Sequence, residues 1–260
     1  MTETLAELFR SDRADPARPF MTYYDDATGE RVELSRISFG NWVAKTANLI
    51  QDDLAAAPGE IISILLPAHW QALVWLAACW KTRLVAAPGL DPAKAGHAVV
   101  DPDHLAAAGR SPGERIALPL LPLGGRFGEH GMDPLPPGLL DYAAEVSGHG
   151  DRFTSLSGPA RPADQALLLD TRTYTQSELA ARGRDRAHEL GLSSRARVLT
   201  DREPSTMDGI TDAFLAPLAV GGSTVLCRHL DRNRVDHRAS AEKVSDILLA
   251  SPGDPGPPAG

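Results

Sequence analysis

Residues 221–224 read Gly-Gly-Ser-Thr, a composition that occurs in turns that bind phosphate. The backbone amides and hydroxyls of such turns can hold an anion. A Walker-type loop also needs a second, spaced glycine and a lysine, and neither is present here. We therefore interpret residues 221–224 as a tight turn into a strand. Residues 124–128, Gly-Gly-Arg-Phe-Gly, could cradle an anion with Arg126 as the charge, but a flexible loop is the favoured interpretation.

Two groups of residues combine histidine with carboxylates, which are common metal ligands. The first group comprises Glu129, His130, His149 and Asp151, and the second comprises His229, Asp231, Asp236 and His237. Metal sites need defined spacings on rigid elements, and neither group has them. We predict surface histidines and no metal site. No Gly-x-Ser-x-Gly elbow and no His-Glu-x-x-His helix occur, so no catalytic residue is assigned and the cofactor-binding residues stay unknown.

His69 follows Pro67 near the predicted carboxyl end of a strand, where α/β proteins often bind ligands. We favour a capping or solvated histidine over a functional one. Trp70, Trp75 and Trp80 recur every five residues and so do not share one face of a helix. This spacing leads to the hypothesis that at least one of the three is exposed and available for a contact.

The chain has 260 residues, 43% of them hydrophobic, and a net charge of -8. The length fits one large domain or two lobes with a shared core. Because there is no basic surplus to neutralise phosphates, we expect no nucleic acid partner. Cys79 and Cys227 lack metal spacing and predict free thiols in a reducing compartment. Residues 1–10 show no signal sequence, and the apolar region 61–80 is interrupted, so we expect a cytoplasmic protein that does not associate with a membrane.

The elements that position these residues follow one pattern that occurs twice, helix, strand, helix, strand. The first copy predicts a helix at 39–54, a strand at 61–66, a helix at 71–81 and a strand at 84–87; the second predicts a helix from 175 to Gly191, a strand at 196–200, a helix at 210–219 and a strand from 223. Such βαβ units favour parallel strands with right-handed crossovers. We predict an α/β fold with two similar lobes, each a mostly parallel sheet flanked by helices, at about 1–160 and about 161–250, followed by a disordered tail at 251–260.

Shorter elements complete the prediction. Thr4 and Glu7 form a capping box for an opening helix, and Pro217 should kink or shorten the helix that contains it. The remaining expectations are a hairpin over 20–34, strands at 98–100, 115–118 and 166–169, short helices at 101–109 and 141–146, and a loop over 120–137.

The course of these elements resembles the N-terminal part of the acyl-adenylate-forming superfamily, which includes acyl-CoA synthetases, luciferases and nonribosomal adenylation domains. The resemblance covers most of residues 20–227. It rests on 37–39 (Ile-Ser-Phe), 58–60 (Pro-Gly-Glu), 64–67 (Ile-Leu-Leu-Pro), 85–88 (Val-Ala-Ala-Pro), 190–192 (Leu-Gly-Leu), 197–199 (Arg-Val-Leu) and 215–225 (Leu-Ala-Pro-Leu-Ala-Val-Gly-Gly-Ser-Thr-Val). The chain also looks like a group of actinobacterial proteins related to that part. The resemblance implies the N-terminal-domain fold of these enzymes and a small acyl or nucleotide-like ligand.

The sequence departs from the family where ATP would bind. In the family, a Ser/Thr/Gly-rich phosphate loop ending in Pro-Lys-Gly follows the strand that is similar to residues 166–169. Here that strand leads into residues 170–175, Asp-Thr-Arg-Thr-Tyr-Thr, with no glycine before Gly183 and no lysine in between. Asp170 would repel a triphosphate. The family's Tyr-Gly-x-Thr-Glu motif, Thr-Gly-Asp motif and lysine-bearing lid are not in the sequence.

We therefore expect a degenerate homologue, or pseudoenzyme, without ligase activity and without ATP or AMP as cofactor. It would bind a small acyl or nucleotide-like ligand or a protein partner. One alternative is an acyl- or aryl-CoA ligase-like enzyme that a partner chain completes. Another is a purely structural or interaction protein, such as a homodimer.

Overall fold

The computed structural model describes residues 3–9, 18–122 and 125–251. Gly124 of the predicted glycine-rich loop, and the predicted tail after Ser251, lie outside these residues. The strands are β1 (Pro19–Asp25), β2 (Glu30–Ser35), β3 (Ile61–Leu65), β4 (Val85–Pro88), β5 (His97–Val100), β6 (Arg115–Ala117), β7 (Leu140–Asp141), β8 (Gln165–Leu169), β9 (Arg172–Thr175), β10 (Arg197–Thr200), β11 (Ser223–Arg228) and β12 (Asp246–Leu248).

The helices are α1 (Leu5–Phe9), α2 (Arg36–Asp52), α3 (Trp70–Thr82), α4 (Leu105–Ala108), α5 (Tyr142–Val146), α6 (Gln176–Glu189), α7 (Met207–Ile210), α8 (Ala216–Ala219) and α9 (Val235–Ala241). A π-helical segment, Thr211–Leu215, joins α7 to α8. Short 3₁₀ helices occupy Pro92–Lys94, Pro102–His104 and Arg232–Arg234.

A seven-stranded sheet has the strand order β7-β6-β5-β3-β4-β8-β9. All neighbours are parallel except β8 and β9, which form an antiparallel hairpin. Strand β3 lies at the centre with a parallel strand on each side, so Ile62, Ser63 and Ile64 are buried. This position explains why β3 is a nearly continuous apolar run rather than an alternating one.

A five-stranded sheet has the order β12-β10-β11-β1-β2. Strands β12, β10, β11 and β1 are parallel, and β2 returns antiparallel to β1. The predicted hairpin over 20–34 is confirmed, and Gly29 at its turn has a φ of 76°, which glycine adopts without strain. The α/β class with mostly parallel sheets is therefore confirmed.

The two sheets do not correspond to the two halves of the chain. Strands β1 and β2, from the first half, complete the five-stranded sheet, whereas β8 and β9, from the second half, complete the seven-stranded sheet. A boundary at about residue 160 therefore does not divide the chain into its two sheets. The pattern of local elements cannot reveal this exchange, because strand pairing joins residues that are distant in sequence.

Helices fill the space between the sheets. Helices α2 and α3 pack on each other and reach β1 of one sheet and β4 of the other, while α6 packs against α8 and the π-helical segment. One continuous apolar core contains side chains of both sheets, among them Met21, Ile62, Leu167 and Leu226. On the outer side of the seven-stranded sheet, α4 contacts β5 and β6.

The hypothesis that one of the three tryptophans of α3 is exposed is wrong. Trp70, Trp75 and Trp80 are all buried, because α3 is enclosed on nearly every side. The Trp80 indole stacks on Phe214 at 5.8 Å, and its Nε1 donates to the carbonyl of Ala166 at 3.0 Å. A helix surrounded by other elements needs no polar face, so its tryptophan spacing carries no information about exposure.

The helix that contains Pro217 shows the predicted irregularity as a π-helical segment directly before α8. Helix α6 crosses it closely at Gly183, where a Cβ would lie 2.8 Å from the carbonyl oxygen of Leu215. Arg186 of α6 clamps the fully buried Asp212 of the π-helical segment through two bonds of 2.8 and 3.1 Å. This contact fixes α6 against the π-helical segment.

Both cysteines are buried free thiols, as predicted. Within residues 3–9, 18–122 and 125–251, no helix combines the length and the apolar character that a membrane crossing requires.

Candidate functional site

The strand order of the seven-stranded sheet reverses at β3. At this point the connections from the carboxyl ends of neighbouring strands run in opposite directions. Strand β3 continues through α3 to β4 on one side, whereas β5, on its other side, continues through α4 away from it. Such a switch point leaves a crevice outside the carboxyl ends of the strands, where α/β proteins bind ligands. A cavity of about 280 Å³ occupies this position, and we call it the switch-point cleft.

Both sheets contribute to the switch-point cleft. From the seven-stranded sheet it takes Ile64–Pro67, Gly89–Pro92, Asp101, Asp103, His104, Ala107 and Arg110; from the five-stranded sheet it takes Ser205 and Arg228. Arg228 is the last residue of β11, and Ser205 follows β10. The cleft therefore has an apolar wall at the ends of β3 and β4 and a polar wall opposite.

Two of the three aspartates that line the cleft, Asp91 and Asp101, are engaged by basic side chains, whereas Asp103 is exposed. Asp101 is buried, caps the 3₁₀ helix after β5, and lies 2.6 Å from Nδ1 of His104. Burial raises the pKa of Asp101, while the bond to His104 opposes that effect. Asp91 pairs with Arg110 at 3.2 Å. These contacts shape the wall and reduce its negative charge.

Arg228 places a cation at the wall of the cleft. Within the described part of the chain, no carboxylate lies within 4.0 Å of its guanidinium. Its field nevertheless reaches several neighbours: it opposes the effect of burial on the pKa of Tyr23, and it lowers the pKa of Glu203 and Asp101 against their burial. A cation at a strand end, facing a cavity, is suited to hold an anionic group.

Two carboxylates lie beside Arg228 along the edge of the five-stranded sheet. Asp25 is in register with Arg228 on one side and with Glu30 on the other, so the three side chains share one face. Although burial alone would raise it, the 2.8 Å bond from His229 holds the pKa of Asp25 below its usual value. Burial, and then the charge of Asp25, raise the pKa of Glu30 to about 7.

The loop after β10 ties the two sheets together near the cleft. Burial raises the pKa of Glu203 in this loop, and the amide of Ala68, at the end of β3, opposes that effect. The loop packs closely on α7, where a Cβ at Gly209 would lie 1.8 Å from the carbonyl oxygen of Glu203. Glycine at this position is what permits the approach.

His69 caps α3, in agreement with the favoured interpretation. Its Nδ1 accepts from the Gln71 amide at 3.2 Å, and its ring packs edge-on against Tyr23 at 4.5 Å. Burial, and then the charge of Arg228, lower the pKa of His69 to about 3, so the ring is neutral. His69 lies between the carboxyl end of β3 and the start of α3 and does not line the switch-point cleft.

The strand that is similar to the one before the family's phosphate loop ends in a two-residue turn. Strand β8 ends at Leu169, which pairs with Arg172 at the start of β9, leaving only Asp170 and Thr171 between them. Asp170 is exposed and has a φ of 55°, a conformation that aspartate tolerates. Because β8 is parallel to β4, this turn lies at the same edge as the cleft. Its two residues leave no room for a loop that could surround phosphates.

Residues 221–224 form the predicted tight turn into a strand. The amides of Gly221, Gly222 and Ser223 donate to the carbonyls of Leu218, Pro217 and Ala196. Since these donors are used within the protein, they cannot cradle a phosphate. In the other glycine-rich stretch, the Arg126 amide donates to Glu129 at 3.0 Å, within a loop as favoured.

The two histidine groups do not assemble into sites. His149 bonds to Asp53 at 2.9 Å, which fastens its loop to α2. His229 bonds to Asp25, whereas Asp231 caps a 3₁₀ helix. No cluster of three or more potential metal ligands occurs in the part of the chain that the model describes.

Sequence reasoning missed Arg228, Tyr23 and Glu203 as neighbours. They come from three distant segments, and none belongs to a recognisable motif. The only local signal is the position of Arg228 at the end of an apolar strand, where ligands of α/β proteins are often bound.

Comparison with known proteins agrees with this architecture. A crystal structure of a Brucella canis acyl-CoA synthetase matches with a TM-score of 0.75 and 16% sequence identity, covering 95% of this chain and 47% of that chain. This chain thus spans about half the length of that protein. At this identity the likeness shows the fold alone, and it confirms the predicted fold of the adenylate-forming type.

No family model matches the chain. A TIGR03089 family protein of Mycobacterium tuberculosis (strain ATCC 25618 / H37Rv) is 37% identical over 246 residues, covering 91% of this chain and 93% of the relative. This one relative agrees with the predicted likeness to actinobacterial proteins. The identity and the mutual coverage show that this chain belongs to the TIGR03089 family.

Proposed function

We propose that this protein binds a small carboxylic acid in the switch-point cleft and does not activate it with ATP. The observation that carries the proposal is Arg228, a cation that lines a cavity at the carboxyl edge of the strands without a carboxylate partner in the described residues. A planar guanidinium binds a carboxylate through two parallel hydrogen bonds.

The rest of the cleft favours a small organic acid over a bare anion. Leu66 and Leu90 offer an apolar wall to a hydrocarbon portion, and the hydroxyl of Ser205 lies on the side of Arg228. The volume of about 280 Å³ is close to the lower end of the range for small-molecule pockets, roughly 300–1,000 Å³. The acid would therefore have a short chain or a single ring.

The turn between β8 and β9 disfavours activation of the acid by ATP. Holding a triphosphate takes several backbone amides or cations directed at one point. The turn offers two residues, and one of them, Asp170, adds a negative charge at that edge. The likeness to an acyl-CoA synthetase supports the choice of a carboxylic acid as ligand class, although the reaction of that enzyme is not proposed for this chain.

The proposal is tested by calorimetric titration of a panel of short aliphatic and monocyclic aromatic carboxylic acids. We expect at least one acid to bind, and Arg228→Gln to weaken its binding about tenfold or more, because a charge-assisted bidentate pair contributes roughly 1.5–3 kcal/mol. The matched control is Arg232→Gln, an arginine that pairs with Asp201 at 3.0 Å outside the cleft, and it should bind as the wild type does. Equal binding by wild type and Arg228→Gln would contradict the proposal.

A second variant tests the location of the ligand independently of Arg228. Leu90→Trp should occlude the apolar wall and abolish binding while circular dichroism stays that of the folded protein. If the acid still binds to this variant with wild-type affinity, the cleft is not its site.

A further inference from the structure

Two cavities adjoin each other at the edge of the five-stranded sheet opposite the switch-point cleft. One of about 590 Å³ lies at the amino ends of β1, β10 and β11, and the other, of about 300 Å³, lies between α1, α2 and α3. Phe20 and Arg36 line both of them. The two cavities are therefore neighbouring compartments with a common wall.

The larger compartment is basic. Among the described residues, its charged lining comprises Arg18, Arg36, Arg195, Arg197, Lys243 and the carboxylate of Glu242. In a chain with a net charge of -8, such a concentration of cations marks a site for an anion. Because the amides of residues 221–223 on its floor are used internally, side chains must provide the recognition.

A fixed network forms the floor of the basic compartment. Arg197 donates to Glu242 at 2.6 Å and to the Thr22 hydroxyl at 2.8 Å. Burial opposes the shift, but the bonds from Tyr24, Arg197 and Arg31 lower the pKa of Glu242 to about 2. Glu242 is thus saturated by its own partners and makes no ion pair with Arg36 or Lys243.

The smaller compartment is mostly apolar. Its lining includes Leu5, Phe39, Val43 and Trp80, with Arg36 and Lys81 as its charged members. Gly40 leaves its wall open, since nothing lies within 4 Å of a Cβ built there. An apolar cavity beside a cationic one fits a molecule with two different ends.

Arg36 stands at the boundary of the two compartments. Its guanidinium lies 4.5 Å from the ring centre of Phe20, and Nη1 donates to the carbonyl of Phe9 at 3.2 Å. Nη2 is buried and has no hydrogen-bond partner among the described residues. The side chain is held in place by an aromatic ring and a carbonyl, while no described residue accepts from Nη2.

We propose that these compartments form one binding site for an amphiphilic organic phosphate, with the phosphate in the basic compartment and an alkyl chain in the apolar one. The site is separate from the switch-point cleft and does not depend on the function proposed above. The size of the basic compartment and the charges of Arg36 and Lys243 on its lining favour a phosphate head, which carries more charge than a carboxylate.

The test titrates the full chain with inorganic phosphate, octyl phosphate and decyl phosphate, each below its micellar concentration. Binding should tighten about tenfold from octyl to decyl phosphate, because each buried methylene adds a constant increment. Gly40→Phe should fill the apolar compartment, remove this chain-length dependence and leave the affinity for inorganic phosphate unchanged. Gly40→Ala, which keeps the compartment open, is its control.

Removing one positive charge from the basic compartment tests whether it binds the phosphate group. Lys243→Gln should weaken binding of all three probes about threefold, whereas Lys94→Gln, which removes the same charge from an exposed residue outside the basic compartment, should not. Equal effects of the two lysine variants would overturn the proposal, as would octyl and decyl phosphate binding alike. Binding to vesicles of phosphatidylcholine with phosphatidic acid, without binding of monomeric decyl phosphate, would also overturn it in favour of membrane association.

Discussion

The carboxylates of Asp25 and Glu30 stand opposite each other on β1 and β2, at the same register of one sheet face. Like charges at directly opposed positions of a sheet repel each other. The two carboxyl groups have different pKa values, which reduces this repulsion. The bond from His229 keeps the pKa of Asp25 low, while burial and the charge of Asp25 raise the pKa of Glu30 to about 7. Near neutral pH, one carboxylate is ionised and the other is partly protonated.

This pair predicts a pH dependence of stability. The ordinary pKa of Glu30 is 4.5 and its folded value is about 7, so between these values the folded protein binds more protons than the unfolded chain. The contribution of Glu30 is therefore fully present below pH 4.5 and is lost as the pH rises through 7. We expect Glu30→Gln to have a higher melting temperature than the wild type at pH 8 and a smaller loss between pH 5 and pH 8. Identical pH profiles of the two proteins would show that Glu30 does not titrate in this way.

A pair of glycines predicts opposite effects of one substitution. Gly40 in α2 and Gly183 in α6 both lie in helices, where alanine is intrinsically favoured by roughly 0.5–1 kcal/mol. Gly40→Ala meets no atom and should stabilise the protein by about that amount. Gly183→Ala would approach the Leu215 carbonyl and should destabilise it by about 1–3 kcal/mol. Urea denaturation of the two variants measures the difference, and a stabilising Gly183→Ala would refute the close crossing of α6.

The buried side chain of Gln176 predicts a large loss of stability when it is replaced. Gln176 is fully buried, donates to the carbonyl of Trp80 at 2.9 Å and accepts from the amide of Leu5 at 3.3 Å. Gln176→Leu should destabilise the protein by about 2–4 kcal/mol, because two buried backbone groups lose their partners. Gln51→Leu is the control: its bond from the Leu156 amide is exposed, so water replaces it and the loss should stay below about 1 kcal/mol. Similar losses for the two variants in chemical denaturation would argue against the buried link between α1, α3 and α6.

Local patterns predicted most of the elements, because the physical causes are local. Thr175 and Glu178 form the predicted capping box, and Gly191 ends the helix with a φ of 64°. Strand β3 was predicted as a buried parallel strand from its apolar run alone. Strand β9 was missed, because its sequence Arg-Thr-Tyr-Thr has a polar character and two of its four residues are exposed.

The arrangement of the elements, and with it the site, could not be predicted in the same way. Strand β11 lies between β10 and β1, more than 190 residues away from β1 in sequence, so no local pattern indicates that Arg228 and Asp25 are neighbours. The burial of all three tryptophans of α3 has the same cause, since it follows from two sheets that enclose one helix. Likewise, residues 221–224 revealed a turn but not the cations that surround it, which come from four other segments.

The central claim is that the switch-point cleft binds a carboxylic acid without adenylating it. The most direct test is ATP–pyrophosphate exchange, measured with every acid that binds to the wild-type protein in the titration. The account predicts no exchange above the enzyme-free background at millimolar ATP and magnesium, because the turn at Asp170 and Thr171 cannot hold the triphosphate. Acid-dependent exchange by the purified chain would contradict it.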